Sequence, residues 1–167
     1  MDLNFTEEQT LLRDMVRNLC EEHASTRVVR DMENDPLGVP PGLWTQMKDT
    51  GLLAMMLPEA YGGIGLDMLD RAVIYHEFGR ALAPGPHFAS SVMGALAIEK
   101  GGSQAQKDAL LTAIGQGGLI VAPAWLEPDH GFGPQGVQLR AEASADGYRL
   151  DGVKRHVFHA RAAQKLI

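Results

Sequence analysis

The sequence lacks several features that mark particular classes of protein. Cys20 is the only cysteine among 167 residues, which excludes a disulfide within the chain. The longest apolar runs, such as residues 52–57, are too short to span a bilayer, so no membrane partner is expected. The first residues lack the basic region and apolar stretch of a secretory signal peptide. Together these absences predict a cytoplasmic protein in a reducing compartment.

Clusters of basic residues are also missing. The formal net charge is -6, and Lys and Arg nowhere form the stripe that a nucleic-acid binder presents. We therefore expect no nucleic-acid partner. Hydrophobic residues make up 45% and charged residues 22% of the chain, which is typical of a folded globular protein and not of a disordered one.

The first two-thirds of the chain has the period of amphipathic helices. Thr6–Gln9 and Ser103–Gln106 each match a capping box, and apolar residues recur at helical spacing behind them. Gly51 suits the left-handed position that follows a helix. The pattern predicts a bundle of about five helices over residues 1–117.

From residue 118 onward the pattern becomes that of strands. Residues 137–142 alternate between apolar and polar side chains, which is the period of a half-buried strand. Asp146 and Gly147 are typical of a hairpin turn, and residues 153–159 have the composition of a further strand. The sequence therefore predicts a mainly α fold, in which the helical bundle precedes the first antiparallel strands of an incomplete β-domain over residues 118–167.

Several segments, in order along the chain, resemble one known family. Residues 57–66, LPEAYGGIGL, resemble the P-E-x-Y-G-G-x-G signature of acyl-CoA dehydrogenase amino-terminal domains, whose glycines suit a sharp turn and close packing. The other matching segments are Phe5–Arg13, Leu43-Trp44 with Gly51–Leu53, Glu77–Ala81 and Asp146–Lys154.

This resemblance implies a three-domain flavoenzyme with an amino-terminal helical domain, a middle β-domain and a carboxy-terminal four-helix domain. FAD would bind between the last two domains and a neighbouring subunit of a homo- or hetero-oligomer. The implied reaction is α,β-dehydrogenation of an acyl-CoA thioester to an enoyl-CoA, with electrons passed to an electron-transfer flavoprotein. Because the family's catalytic Glu lies in the carboxy-terminal domain, no catalytic residue is assigned in this chain.

The resemblance also implies cofactor-binding residues, which are Trp125, Leu126, His156 and Phe158. Leu126 and Phe158 stand where the family has hydroxyl groups that contact the flavin, and each lost hydrogen bond is worth ~0.5–1.5 kcal/mol. Two interpretations follow. Either Trp125, His156 and Phe158 cover a flavin that is held differently, or the flavin site of this subunit is degenerate.

The substrate site is expected beside the helix that follows Pro84, because family members line their acyl pocket there. The small residues Ala89, Ser90 and Gly94 would leave room for the acyl chain, and Phe132 replaces a Ser near the substrate. The hypothesis predicts that Gly94→Trp blocks binding of acyl-CoA.

Two alternatives to an active dehydrogenase subunit remain open. A non-catalytic partner subunit of a heteromeric acyl-CoA dehydrogenase is favoured by the missing hydroxyls at Leu126 and Phe158. An inactive fragment is the second alternative, since strands without a partner sheet would leave an open edge and an uncovered face.

Other residues with chemical potential are interpreted as structural. Residues 131–136 spell G-x-G-x-x-G, but no helix is expected after them to bind a pyrophosphate. No metal site is expected from His130, His156 and His159, because residues three apart on a strand face opposite sides. Glu127 is interpreted as a solvated or structural carboxylate, as is Glu99, and Cys20 as a small buried hydrophobe.

Overall fold

A computed structural model describes residues 4–129 and 131–167. His130, considered above as a metal ligand, lies outside these residues. The helices are α1 (Glu7–His23), α2 (Thr26–Met32), α3 (Pro41–Asp49), α4 (Met68–Ala81), the π-helix Phe88–Gly94, α5 (Ala95–Gly101) and α6 (Gln104–Gly115), with 3₁₀ turns at Glu59–Tyr61 and Pro134–Gly136. The strands are β1 (Val121–Ala122), β2 (Ala141–Ser144), β3 (Gly147–Leu150) and β4 (Lys165–Leu166).

The helix ends predicted from capping patterns are confirmed. Thr6 Oγ1 accepts a hydrogen bond from the backbone N–H of Gln9 at 3.1 Å, and Gln9 Oε1 accepts one from the N–H of Thr6 at 3.2 Å. Ser103 and Gln106 form the same reciprocal pair before α6. Gly51 follows α3 with φ of 73°, the left-handed conformation that glycine adopts at little cost. These contacts set where the helices begin and end.

The described chain has six α-helices and a π-helix where about five helices were predicted. The additional helix is α2, which no apolar period reveals because none of its residues is buried. Ser25 caps it by accepting a hydrogen bond from the N–H of Val28 at 3.5 Å. The helix predicted from Val92 onward begins as the π-helix and continues as α5.

Two clusters of buried apolar side chains form the core. The first lies where α1 packs on α3 and α4, and its fully buried members include Val16, Leu52 and Ile74. The second joins α5 and α6 to β1, and includes Leu111 and Val121. Burial of this kind is the main stabilising contribution to a small domain.

Cys20 belongs to the first cluster and is 1% exposed. Burial raises the pKa of its thiol to about 11, so the thiol is neutral and unreactive at physiological pH. The interpretation of Cys20 as a small buried hydrophobe is confirmed.

The Glu77 carboxylate holds α1 against α4. It accepts hydrogen bonds from Arg17 Nε at 3.0 Å and Arg17 Nη2 at 2.8 Å, and from Arg80 Nε at 3.0 Å. His76 Nδ1 lies 3.2 Å from the same carboxylate. These partners, Arg17 foremost, lower the pKa of Glu77 to about 2, so the buried group stays ionised. Two residues of the Glu77–Ala81 segment, Glu77 and Arg80, therefore belong to an ion network with a structural role.

The glycines of the 57–66 signature have the structural role that was predicted. Gly62 has φ of 83°, in the left-handed region. A Cβ on Gly63 would overlap the carbonyl oxygen of Leu57, so the loop closes on itself only with glycine there. This signature identifies a backbone turn and contributes no reactive group.

The strands agree in part with expectation. The antiparallel hairpin is confirmed, with β2 paired to β3 and Ser144 opposite Gly147. In addition, β1 pairs with β4 in parallel, which the sequence did not predict. The half-buried strand predicted at 137–142 is wrong over residues 137–140, which precede β2, and all four residues of β2 are exposed. Alternation alone did not distinguish a buried face from a solvent-exposed one.

The strand predicted over residues 153–159 is also wrong, since the segment forms no strand. His156 and His159 have φ of 52° and 55°, which breaks an extended conformation. The argument that these histidines face opposite sides of a strand therefore fails. Within the described residues, no group of three or more His, Cys, Asp or Glu side chains is placed to hold a metal ion. Across the same part of the chain, no helix has the length and apolar character that crossing a bilayer requires.

Candidate functional site

The turn between α4 and the π-helix creates the space for the candidate site. Leu82 ends α4 in the left-handed conformation, with φ of 53° and ψ of 36°. Pro84 and Pro86 follow, and neither has an N–H with which to continue a helix. The chain therefore leaves α4 at this turn, and the π-helix that follows packs against β1.

A cavity of about 430 Å³ lies between this turn and the chain that follows β1. One wall comes from the turn and the π-helix, and the other from residues beyond β1. The lining residues are Gly85, Phe88, Ala89, Met93, Pro123, Trp125, Phe158 and His159. Apart from His159 these side chains are apolar or aromatic, which suits an apolar ligand. Burial lowers the pKa of His159, which favours its neutral form and keeps charge out of the cavity.

The cavity brings together residues from both of the sites that the sequence suggested. Ala89 comes from the predicted substrate site, and Trp125 and Phe158 come from the predicted cofactor site. These three residues line the same cavity. Their roles in binding stay predictions, but their common location is consistent with a substrate that meets a cofactor there.

Two other residues of the predicted substrate site hold the π-helix against β1. Ser90 is fully buried, and its Oγ accepts a hydrogen bond from the backbone N–H of Val121 at 3.1 Å. A Cβ on Gly94 would overlap Cγ2 of Val121. Neither residue lines the cavity, so Gly94→Trp would disturb packing and would not report on ligand binding. A substitution that tests ligand binding in the cavity belongs at Ala89, which lines it.

The remaining predicted residues lie apart from the cavity. Leu126 is 5% exposed, with its side chain packed inside the protein, and its carbonyl oxygen accepts a hydrogen bond from the N–H of Arg155 at 2.8 Å. His156 is exposed, and Phe132, in the loop that follows residue 130, is 80% exposed. Their assignment to cofactor or substrate stays a prediction.

Glu127 fixes the segment that carries Trp125. Its carboxylate accepts hydrogen bonds from the N–H groups of Gln138 at 3.0 Å and Leu139 at 2.9 Å, and from Lys154 Nζ at 2.6 Å. These partners, Lys154 foremost, lower its pKa to about 2. The interpretation of Glu127 as structural agrees with this geometry. The carboxylate is fully engaged, so it is not poised as a general acid or base.

Sequence reasoning missed a second space beside the first. A groove of about 420 Å³ contains Tyr75, His87 and Leu82, and it shares Gly85 and Phe88 with the cavity. The sequence does show a Pro-Gly-Pro turn between α4 and the π-helix. It does not show that Tyr75 and His87, twelve residues apart, form a hydrogen bond with each other.

Comparisons with known proteins show which family this chain resembles. A family model described as acyl-CoA dehydrogenase, N-terminal domain, matches residues 6–118. Acyl-CoA dehydrogenase IpdE2 of Mycobacterium tuberculosis is 34% identical over 127 residues, which cover 74% of this chain and 38% of that protein.

Two solved structures resemble the fold over nearly the whole chain. The Tcur3481-Tcur3483 steroid ACAD, solved as a variant, has a TM-score of 0.82 and 34% identity, covering 96% of this chain and 44% of that one. The ChsE4-ChsE5 complex from Mycobacterium tuberculosis has a TM-score of 0.86 and 25% identity, covering 99% of this chain and 42% of that one. The chain thus spans less than half the length of the relatives that it matches.

Proposed function

This chain belongs to the acyl-CoA dehydrogenase family, and on that premise we propose that it supplies one side of the acyl-binding site of a FAD-dependent dehydrogenase. The reaction would be α,β-dehydrogenation of an acyl-CoA thioester to the enoyl-CoA. The electrons would leave through an electron-transfer flavoprotein.

The cavity between the π-helix and Trp125 is the observation that carries this proposal. Its lining is almost wholly apolar, and a volume of about 430 Å³ lies in the range of small-molecule sites. An acyl chain gains free energy when it leaves water for such a lining, at roughly 25 cal/mol for each Å² of apolar surface buried. Ala89 leaves the space open because its side chain is a single methyl group.

The residues that line the cavity could contact a flavin ring by aromatic stacking, but they offer it no side-chain hydroxyl for a hydrogen bond. Trp125 and Phe158 present aromatic side chains to the cavity, and such surfaces stack on flat rings. Leu126 offers no hydroxyl and is buried. Trp125 and Phe158 would therefore hold the cofactor by stacking, and FAD when bound would supply the hydride acceptor. The apolar lining that this chain contributes would disfavour water in the space and would contact the acyl group.

The base for α-proton removal would come from elsewhere in the protein. Among the described residues that line the cavity there is no Asp or Glu, and the nearby Glu127 is committed to Lys154 and two backbone N–H groups. We therefore assign no catalytic residue to the described chain.

A ring-containing acyl group and an oligomeric enzyme are part of the proposal. One similar structure is described as a steroid ACAD, which supports a bulky acyl group in the cavity of this protein. That structure and the ChsE4-ChsE5 complex each carry two protein names, which supports assembly with further dehydrogenase subunits.

A non-catalytic partner subunit is the second candidate function. It is favoured by Leu126 and Phe158, which have no hydroxyl at the sequence positions where the resemblance implies hydroxyl groups that contact the flavin. In that case the chain would shape the acyl site and another subunit would hold the working flavin.

The two candidates differ in the behaviour of the protein purified from its own host. The dehydrogenase predicts flavin absorbance near one FAD per chain and dye reduction with acyl-CoA thioesters. A colourless chain that copurifies with a yellow dehydrogenase-like chain would support the partner subunit. A protein that is colourless, unpartnered and inactive with every thioester would contradict both and leave the inactive-fragment interpretation.

A further inference from the structure

The groove behind Phe88 adjoins the cavity, and its lining includes two polar side chains, Tyr75 and His87. Phe88 and Gly85 line both spaces, so the two are separated by one aromatic ring and a residue without a side chain. The rings of Tyr75 and Phe88 meet edge to face, with centroids 5.3 Å apart. Phe88 is 52% exposed, so its ring is not held by close packing on all sides.

Hydrogen bonding fixes the protons of the polar pair. Tyr75 Oη lies 2.6 Å from His87 Nδ1, and His87 Nε2 lies 3.3 Å from the carbonyl oxygen of Leu52. His87 is 3% exposed, and burial lowers its pKa to about 4, so the ring is neutral. A carbonyl oxygen only accepts, so the single ring proton lies on Nε2 and Nδ1 is an acceptor.

Tyr75 therefore donates its hydroxyl hydrogen in a hydrogen bond to Nδ1 of His87. Its oxygen then has lone pairs to offer and no second hydrogen to donate, so toward a ligand in the groove it acts as an acceptor. A ligand hydroxyl can donate to it. A ligand ketone cannot, unless Tyr75 turns away and leaves the buried Nδ1 of His87 without a partner.

A second observation concerns Leu82, which also lines this groove. Leu82 stands there with φ of 53°, a conformation that costs a leucine about 1 kcal/mol or more relative to glycine, and its side chain is 71% exposed. Strained residues that persist are concentrated at binding sites. Leu82 therefore adds a large and mostly exposed apolar side chain to the lining of the groove.

We infer that the groove lined by Tyr75, His87 and Leu82 extends the acyl site, and that it selects an acyl group carrying a hydroxyl at the end far from the thioester. This inference rests on the proposed function, since it names the substrate class of the same site. The apolar body of the acyl group would pass Phe88, and its hydroxyl would donate to Tyr75 Oη.

Three CoA thioesters with the same ring system provide the probes. Lithocholoyl-CoA has a hydroxyl at its far end, its dehydro analogue has a ketone there, and cholanoyl-CoA has neither. Binding to the natively purified protein, with any chain that copurifies, is measured by calorimetry, and butanoyl-CoA serves as a short thioester that cannot reach the groove. We expect the hydroxylated probe to bind roughly three- to tenfold more tightly than the other two, the effect of one neutral hydrogen bond.

Two variants test the assignment separately. Tyr75→Phe should abolish the preference for the hydroxylated probe, whereas the matched control Tyr148→Phe, at a 75% exposed tyrosine, should retain it. Gly79→Leu fills the groove, because a Cβ at Gly79 meets no atom within 4 Å. It should weaken all three ring-containing probes and leave butanoyl-CoA unchanged.

The outcomes separate this inference from the function on which it rests. Equal affinity of the wild-type protein for the three probes, or a preference that survives Tyr75→Phe, would overturn the inference. Binding of butanoyl-CoA without any ring-containing probe would do the same. Failure of every thioester, butanoyl-CoA included, would contradict the proposed function and the inference with it.

Discussion

The helical region and the strand region of this chain are held together in different ways. The helices pack around two clusters of fully buried side chains, and their ends are closed by reciprocal caps. In contrast, every residue of β2 and β3 is exposed, and the segment before them is fixed by the Glu127 carboxylate and Lys154. The helices and β1 are stabilised mainly by buried apolar surface, whereas β2, β3 and the segment before them are stabilised by a few specific polar contacts.

The candidate cavity lies where these two regions meet. Phe88 and Ala89 come from the helical side, and Trp125 and Phe158 come from the strand side. One wall therefore adjoins the π-helix that packs on β1, whereas Phe158 on the other wall lies in an irregular segment and is 62% exposed. The geometry of a ligand site at this boundary should be more sensitive to changes on the strand side.

The largest difference is expected between leucines of the two regions. Leu52 is fully buried in the first core cluster, so Leu52→Ala should lower the free energy of unfolding by about 2–5 kcal/mol. Leu150, 65% exposed in β3, is the matched control, and Leu150→Ala should change it by less than about 0.5 kcal/mol. Urea denaturation followed by circular dichroism measures both. Similar losses in the two variants would break the comparison.

The contact between the regions should have an intermediate effect. Ser90→Ala removes the acceptor for the buried N–H of Val121, which should cost about 1–3 kcal/mol of unfolding free energy. Ser144→Ala, at an exposed serine of β2, is the control and should cost almost nothing. A sharper readout is amide hydrogen exchange at Val121, which should accelerate in the first variant alone. Unchanged exchange there would show that the π-helix does not hold β1.

The smallest effect is a local dependence on pH. The folded-state pKa of Glu127 lies near 2, below its ordinary value of 4.5, so its stabilisation is complete above about pH 4.5 and is lost as the pH falls toward 2. The protection of the Gln138 and Leu139 amides, measured relative to the intrinsic exchange rate at each pH, should therefore decrease over that window. Glu127→Gln should remove this dependence.

The corresponding group of the helical region provides the control. The pKa of Glu77 is lowered to about 2 as well, so its contribution is lost in the same window. Glu77→Gln should alter the acid dependence of global unfolding and leave the local exchange at Gln138 as it was. If both variants changed the same observable, the two regions would not be stabilised independently.

Local signals in the sequence were sufficient for most of the helical region, although not for α2. Thr6 and Ser103 indicated where helices begin, because a capping box involves residues only three positions apart. Gly51 indicated where α3 ends, because the left-handed conformation that follows a helix favours glycine. The Glu77 motif was recognised as part of a resemblance, although its ion network with Arg17 spans sixty positions.

The strand region and half of the site could not be predicted in the same way. The left-handed conformations of His156 and His159 depend on tertiary contacts and leave no mark in an apolar–polar pattern. Gly94 was predicted to leave room for substrate, yet a small residue also permits close packing, and here Val121 occupies that room. Tyr75 and His87 were missed because their pairing depends on the turn between them.

The most direct test of the central claim is the affinity of the natively purified protein for butanoyl-CoA after a bulky residue is placed in the cavity. Ala89→Trp should reduce the affinity at least about tenfold, because the indole occupies the space of the acyl chain. Ala72→Trp, at an exposed position of α4, should leave it within about twofold. Equal affinity in the Ala89→Trp variant and the wild-type protein would show that the cavity is not the acyl site.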